Sequence, residues 1–238
     1  MIECGTNYLK DVTNIGIPQS RHKGRLGGVG TLGRKEESMP PNDLHEAHFT
    51  VLQHMTSITP YIYEHQSLLK NENNQRDKIW LAKKHNETFS HWLKEKVRNT
   101  LPNVDKPVEE LGFGPIRVVK YEGYDINGYT FYTRQQDQKS TMQNSGVTVI
   151  ASTTERTTKD SYYGVIEEIW ELDYNSFVIP LFKCKWVDNN KGLLIDRDGF
   201  TTVNLSTNGY VSEQFILVKF LTPPKFTTQR NTNLGVTS

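Results

Sequence analysis

Three stretches of this chain carry residue types at spacings that chemistry could use. Gly28-Val29-Gly30-Thr31-Leu32-Gly33 fits G-x-G-x-x-G, the pattern that brings backbone N–H groups against a pyrophosphate. Such a site needs a buried strand before the glycines and a helix start after them. Here the preceding residues are basic and polar, and no helical periodicity follows. The stretch also approaches a P-loop, but Arg34 stands where that loop needs lysine, and Lys35 where a serine or threonine must reach magnesium. It therefore reads as a loop. His45-Glu46-Ala47-His48 is one residue short of H-E-x-x-H, and zinc proteases need their histidines one helical turn apart, at i and i+4. At i and i+3, with no third ligand spaced nearby, these read as ordinary helix histidines, His48 on the apolar face and His45 off it.

The acids Glu167, Glu168, Glu171 and Asp173, and further on Asp188, Asp196 and Asp198, raise the question of two-metal chemistry. A nuclease or transposase needs carboxylates from separate elements converging on ions roughly 4 Å apart. Glu167 and Glu171 share a strand face and the others fall in turns, so solvated strand faces and turn caps are expected instead. No nucleophile motif such as G-x-S-x-G occurs. The sequence points away from an enzyme, and to no metal, cofactor or small-molecule substrate.

What remains is suited to holding something. Between Ser20 and Lys35 stand Arg21, Lys23, Arg25, Arg34 and Lys35, with no acid among them. A candidate helix and its lead-in carry Arg76, Lys78, Lys83, Lys84, Lys94, Lys96 and Arg98 against Asp77, Glu87 and Glu95. Together these could neutralise several phosphates. The candidate nucleic-acid contacts are Arg21, Lys23, Arg25, Arg34, Lys35, Lys83, Lys84, Lys94 and Lys96. The plain alternative is the solvated face of an amphipathic helix. A second candidate is an aromatic pocket of Tyr162, Tyr163, Trp170 and Trp186, with Phe177 in the same zone. Holding a methylated lysine would require two or three of these rings exposed around one point.

Composition bounds the answer. A chain of 238 residues can hold one large domain or two small ones. A hydrophobic share of 35% and a mean hydropathy of -0.61 point to ordered modules joined by polar connections. A net charge of +1 leaves no global field to mark a partner. Two cysteines, Cys4 and Cys184, make neither a disulfide scaffold nor a cysteine-rich zinc site. No apolar run approaches the roughly 20 residues that span a bilayer, and the first residues lack an apolar leader core. A soluble, intracellular protein without a membrane partner is expected.

The elements that must position these residues fall into zones. Residues 1–42, rich in Gly and charge, read as a flexible basic arm. From Asp43, Leu44, Ala47, His48, Val51, Leu52 and Met55 recur at helical steps, and Asp43 with Glu46 suits a capping box. Thr59-Pro60 starts a second helix, with Ile62, His65, Leu68 and Leu69 on its apolar side. A third carries Leu81, Ala82, His85, Phe89, Trp92, Leu93 and Val97 on one side and ends by Asn99, because Pro102 cannot continue it. These helices make up a segment over 43–101. At Gly112-Phe113-Gly114-Pro115 the pattern turns to an antiparallel β domain over 113–222. Asn127-Gly128 is a hairpin signal between Tyr124–Ile126 and Tyr129–Thr133. Further strands are expected over Gly146–Ala151, Tyr163–Tyr174, Phe177–Asp188, Gly192–Ile195, Thr201–Val203 and Gln214–Phe220. Residues 223–238 read as a disordered tail.

Long strings add a family resemblance. SRHKGRLGGVGTLGRK, HFTVLQHMTSITPYIYEHQSLLK and IWLAKKHNETFSHWLKEKV resemble the region that follows the transposase core in plant CACTA (En/Spm-type) transposon proteins. VVKYEGYDINGYTFYTR, YYGVIEEIWELDY, FVIPLFKCKWVD and DGFTTVNL resemble the carboxy-terminal domain of unknown function of those proteins. The likeness runs from about Ile15 to Phe226. It implies a nuclear, transposon-derived protein lacking the RNase H-like core that carries the family's proposed catalytic acids, with DNA, chromatin or transposase subunits as partners. YYGVIEEIWELDYNSFVIPLFKCKW followed by EQFILVKF is also similar in pattern to SH3-like barrels and to bromo-adjacent homology domains. The expected fold is α+β: a small helical segment followed by an SH3-like antiparallel β-barrel.

Overall fold

The computed structural model of the chain describes residues 31–72, 77–126, 129–140, 143–152, 159–195, 197, 201–210 and 213–220. Two short strands open it, β1 (Thr31–Leu32) and β2 (Lys35–Glu36). Four helices follow: α1 (Pro41–His54), α2 (Thr59–Glu72), α3 (Lys78–Thr100) and α4 (Lys106–Phe113). The chain then runs through β3 (Arg117–Tyr121), β4 (Gly123–Ile126), β5 (Tyr129–Tyr132) and the single-turn α5 (Arg134–Asp137). After them come β6 (Gly146–Ser152), β7 (Lys159–Asp173), β8 (Val178–Val187), β9 (Leu193–Ile195), β10 (Thr201–Val203), β11 (Asn208–Gly209) and β12 (Phe215–Leu217).

The helices form for the reasons their sequences give. Thr59-Pro60 opens α2, with proline early in the helix where its missing N–H costs nothing. Asp77 caps α3, its carboxylate accepting from Ile79 N at 2.9 Å. His85, Phe89, Leu93 and Val97, each four residues apart, form the buried stripe of α3. The capping box expected at Asp43 does not form. Pro41 already occupies the first turn, so α1 begins two residues earlier, and Asp43 instead accepts from Lys183 Nζ on β8 at 2.7 Å. Two helices, α4 and the single-turn α5, have no counterpart in the sequence pattern. α4 starts at Lys106-Pro107 behind Asp105 and stops at Gly114, whose φ of 87° few other residues adopt cheaply.

All pairing is antiparallel. The large sheet runs β11-β8-β7-β3-β2, with β12 also on β8 and β6 also on β7; β1-β4-β5 and β9-β10 form two smaller sheets. β7 is its axis: β8 lies along one side, while β3 and then β6 share the other. A register shift between Ile166 and Glu168 lets one long strand serve both. Among the described residues the outer strands never meet, so the sheet is not closed into the SH3-like or bromo-adjacent-homology-like barrel anticipated from the strand pattern. The mixed helical and antiparallel class is as expected. Ile126 pairs with Tyr129 across the Asn127-Gly128 hairpin, whose turn residues lie outside the described set.

Both faces of the large sheet are covered. Trp170, Leu172, Leu181 and Leu217 pack with Leu52, Phe89 and Leu111 of the helices in one core. Ile166, Ile169, Phe182 and Trp186 pack with Phe131 and Val147 in the second. The helical segment and the β zone, read from sequence as successive modules, thus share a hydrophobic core. Glu110 of α4 reinforces the join by accepting from Ser176 N at 3.1 Å, from the Ser176 hydroxyl, and from Asn175 Nδ2 at 3.4 Å, all in the β7–β8 turn. The near end of the predicted arm is also folded, β1 pairing with β4 and β2 with β3.

Candidate nucleic-acid interface

Three neighbours occupy the sides of α3. Phe49 of α1 meets Phe89 edge-on, with ring centroids 6.3 Å apart. His65 of α2 meets His85 and Trp92. Gly112 of α4 comes so close to Val97 that a Cβ there would lie 2.7 Å from its methyl group. The remaining side carries exposed Lys83, Glu87, His91 and Arg98 and the half-buried Lys84 and Lys94. Arg98 is bound to Glu95 at 2.6 Å. Lys83, Lys84 and Lys94 make no ion pair with any described residue, nor do Lys70 and Lys78, which flank the α2–α3 connection. Lys70 carries no signal in the sequence because it stands alone at the end of α2.

The other candidates are engaged. Lys96 points along the α2 seam, 2.6 Å from Glu64 Oε1 and 6.0 Å from the Trp92 ring. Arg34 pairs with Glu36 and Lys35 with Glu37. The Glu37 carboxylate raises the Lys35 pKa, and Lys35 in turn lowers that of Glu37. Arg21, Lys23 and Arg25 lie outside the described residues. Among the described residues the free cations of these candidates therefore lie on α3 and its lead-in, and not at Arg34 and Lys35.

The aromatic candidates do not converge on an exposed point. Trp170 is fully buried against Phe215, ring centroids 4.8 Å apart, in the helix-facing core. Trp186 is buried in the opposite core and donates from Nε1 to the Glu213 carbonyl at 2.9 Å. Tyr162 meets Tyr210 edge-on at 5.4 Å, and Tyr163 follows it on the alternate face of β7. Phe177 stacks on Tyr174. A strand covered on both faces draws its large rings inward on both, which separates Trp170 from Trp186.

The remaining motifs resolve into structure. Gly33, at φ 68°, turns β1 into β2 rather than starting a helix; Gly28 to Gly30 lie outside the described residues. His45 is exposed and stacked on Phe49, whereas buried His48 holds Tyr174 Oη at 2.9 Å through Nδ1. Burial, then His45 and Lys94, push the His48 pKa down to about 4, and burial drives that of Tyr174 well up. Contrary to the solvated strand face expected, Glu171 and Asp173 are buried. Glu171 accepts from the Tyr121 and Tyr124 hydroxyls, and Asp173 from Arg117 at 2.5 Å. Glu168 pairs with Lys120 at 2.5 Å, and Glu167 with Arg134 at 3.4 Å. Asp188 accepts from Asn190 N in a turn, as expected; Asp196 and Asp198 lie outside the described residues. Among the described residues no three of His, Cys, Asp and Glu are grouped to hold a metal ion. No helix among them is long and apolar enough to cross a membrane.

A family model described as a domain of unknown function (DUF4216) matches residues 170–220, from the end of β7 through β12. No curated protein and no solved structure matches the chain.

Proposed function

We propose that this chain is a non-catalytic accessory module of a plant CACTA-type transposon-derived nuclear protein, and that it contacts DNA or chromatin through the outer face of α3. The observation that carries the reading is the contrast in ion pairing: Lys83, Lys84 and Lys94 stand without an acid among the described residues, while Lys96 and Arg98 on the same helix, and Arg117, Lys120, Lys183 and Arg134 around the sheet, are paired. Unpaired lysines on a firmly held helix can release counterions on meeting phosphate without first breaking internal bonds. The DUF4216 match supports the transposon-derived part of the reading, since it falls within the strings that resemble those proteins.

The test is a salt titration of duplex DNA binding. Replacing Lys83, Lys84 and Lys94 together by glutamine should weaken binding and flatten the slope of log K against log salt, by about 0.9 for each phosphate no longer neutralised. Lys96→Gln should change the slope little, because that lysine is held by Glu64. Absence of DNA binding at low salt, or equal slopes for the triple variant and the parent, overturns the reading. The alternative is a protein-interaction module in a transposase assembly, favoured by the exposure of Ile79 (70%) and Tyr63 (52%) on the same helices. It predicts self-association or partner binding that is insensitive to salt.

A further inference from the structure

The seam between α2 and α3 is closed by a hydrogen bond between two imidazoles. His65 Nδ1 and His85 Nδ1 lie 2.8 Å apart, and each residue is 3% exposed. Phe89 and Trp92 approach His65 with ring centroids at 5.5 and 5.0 Å, and Phe49 of α1 closes on His85 at 5.9 Å. The Thr88 hydroxyl donates to the Lys84 carbonyl at 2.7 Å, so toward His65 Nε2, 3.3 Å away, it offers a lone pair. His65 therefore carries its hydrogen on Nε2 and accepts at Nδ1. His85 must then donate from Nδ1, which leaves His85 Nε2 bare; that atom is buried without a hydrogen-bond partner among the described residues. The relay runs His85 Nδ1–H to His65 Nδ1, His65 Nε2–H to Thr88, and Thr88 to the backbone.

We propose that this relay is an acid-sensitive latch between α2 and α3, in which the nitrogen left to take a further proton, His85 Nε2, meets no acceptor among the described residues. Protonation there places an unpaired cation between Phe49 and Phe89, and is relieved by α2 parting from α3. The titratable group facing His85 is His65. Glu64 beside it on α2 is bound to Lys96, His45 on α1 is exposed against the far partner Phe49, and His48 on α1 is bound to Tyr174. On α3 itself, Lys84 is half-buried and Glu87 exposed. Burial, then the charge of His65, lowers the His85 pKa from 6.5 to about 4. Since the folded value lies below the unfolded one, the unfolded chain binds the extra proton first. Stability is complete above pH 6.5 and falls as the pH drops toward 4, the unfolding constant rising by up to about tenfold per pH unit from this site.

Two measurements test the latch. In the intact protein, imidazole ¹⁵N shifts at pH 7 should show a bare Nε2 on His85 and a bare Nδ1 on His65, with His85 resisting protonation well below pH 6. If both rings titrate near 6.5 with the fold intact, the proposal fails. Second, denaturant unfolding followed by tryptophan fluorescence between pH 7 and 4.5 should steepen with acid in the parent. The His65→Phe, His85→Phe double variant should lose up to about tenfold of that dependence per pH unit. His48 remains as the same background in both proteins, so equal pH dependence overturns the latch.

Discussion

Charge is handled in opposite ways on the sheet and on α3. Around β7 Arg117 is matched to Asp173, Lys120 to Glu168, Lys183 to Asp43 and Arg134 to Glu167, while Lys185 on β8 makes no ion pair with a described residue. On α3 the outward lysines are left unmatched. The difference follows from burial. A strand covered on both faces cannot leave a carboxylate such as Glu171 or Asp173 without donors, because a desolvated and unpaired charge is costly. A helix with one face in solvent has no such requirement. Donors for the buried carboxylates Glu171 and Asp173 are therefore a condition of folding, whereas the α3 lysines are under no such requirement.

The sharpest way to break that comparison is to test whether the two halves are energetically separate at all. Trp170 sits in the core shared by helices and sheet, with no exposed surface. Trp170→Ala should cost about 3–5 kcal/mol and destabilise helices and sheet together. Denaturant curves read by far-ultraviolet circular dichroism and by the fluorescence of the remaining tryptophans should stay superimposable. Two separated transitions would show that the helices and the sheet fold as independent modules.

A smaller effect tests the α4 join. Glu110→Gln keeps the shape but removes the charge that Ser176 and Asn175 donate to, and should cost about 2 kcal/mol. The measurement is the shift of the urea midpoint at pH 7. A change below about 0.5 kcal/mol, the level of an ordinary surface substitution, would mean that the shared core alone holds α4 to the β7–β8 turn.

How much of this was legible in the sequence differs by element. The stripe His85-Phe89-Leu93-Val97 and the alternation Phe182-Lys183-Cys184-Lys185-Trp186 repeat often enough to reveal helix and strand, and the structure buries the stripe together with Phe182, Cys184 and Trp186, whereas Leu68, read onto the apolar side of α2, is 41% exposed. α4 is too short for periodicity to speak, although Asp105, Pro107 and Gly114 mark both of its ends. Sheet closure was not legible, because it depends on which distant strands pair, and a strand pattern is the same in an open sheet as in a barrel. At the candidate site, Lys83, Lys84 and Lys94 were readable as charges. Which lysines were already engaged was not, since the partner of Lys96 is Glu64 on another helix and that of Lys183 is Asp43, 140 positions away.

The smallest effect expected is the most discriminating one for function. If the α3 lysines have no structural task, replacing Lys83, Lys84 and Lys94 by glutamine should leave stability within about 0.5 kcal/mol of the parent, or raise it slightly by relieving repulsion between like charges on one helix face. Urea denaturation at pH 7 and low ionic strength is the right measurement, because salt would screen that repulsion. The outcome matters in combination with DNA binding. Unchanged stability with weakened binding separates the surface from the fold and sharpens the contrast between sheet and helix. A drop of about 1 to 2 kcal/mol, on the scale of broken internal hydrogen bonds, would show that these lysines hold α3 in place, and the free charge on that face would then be structural after all.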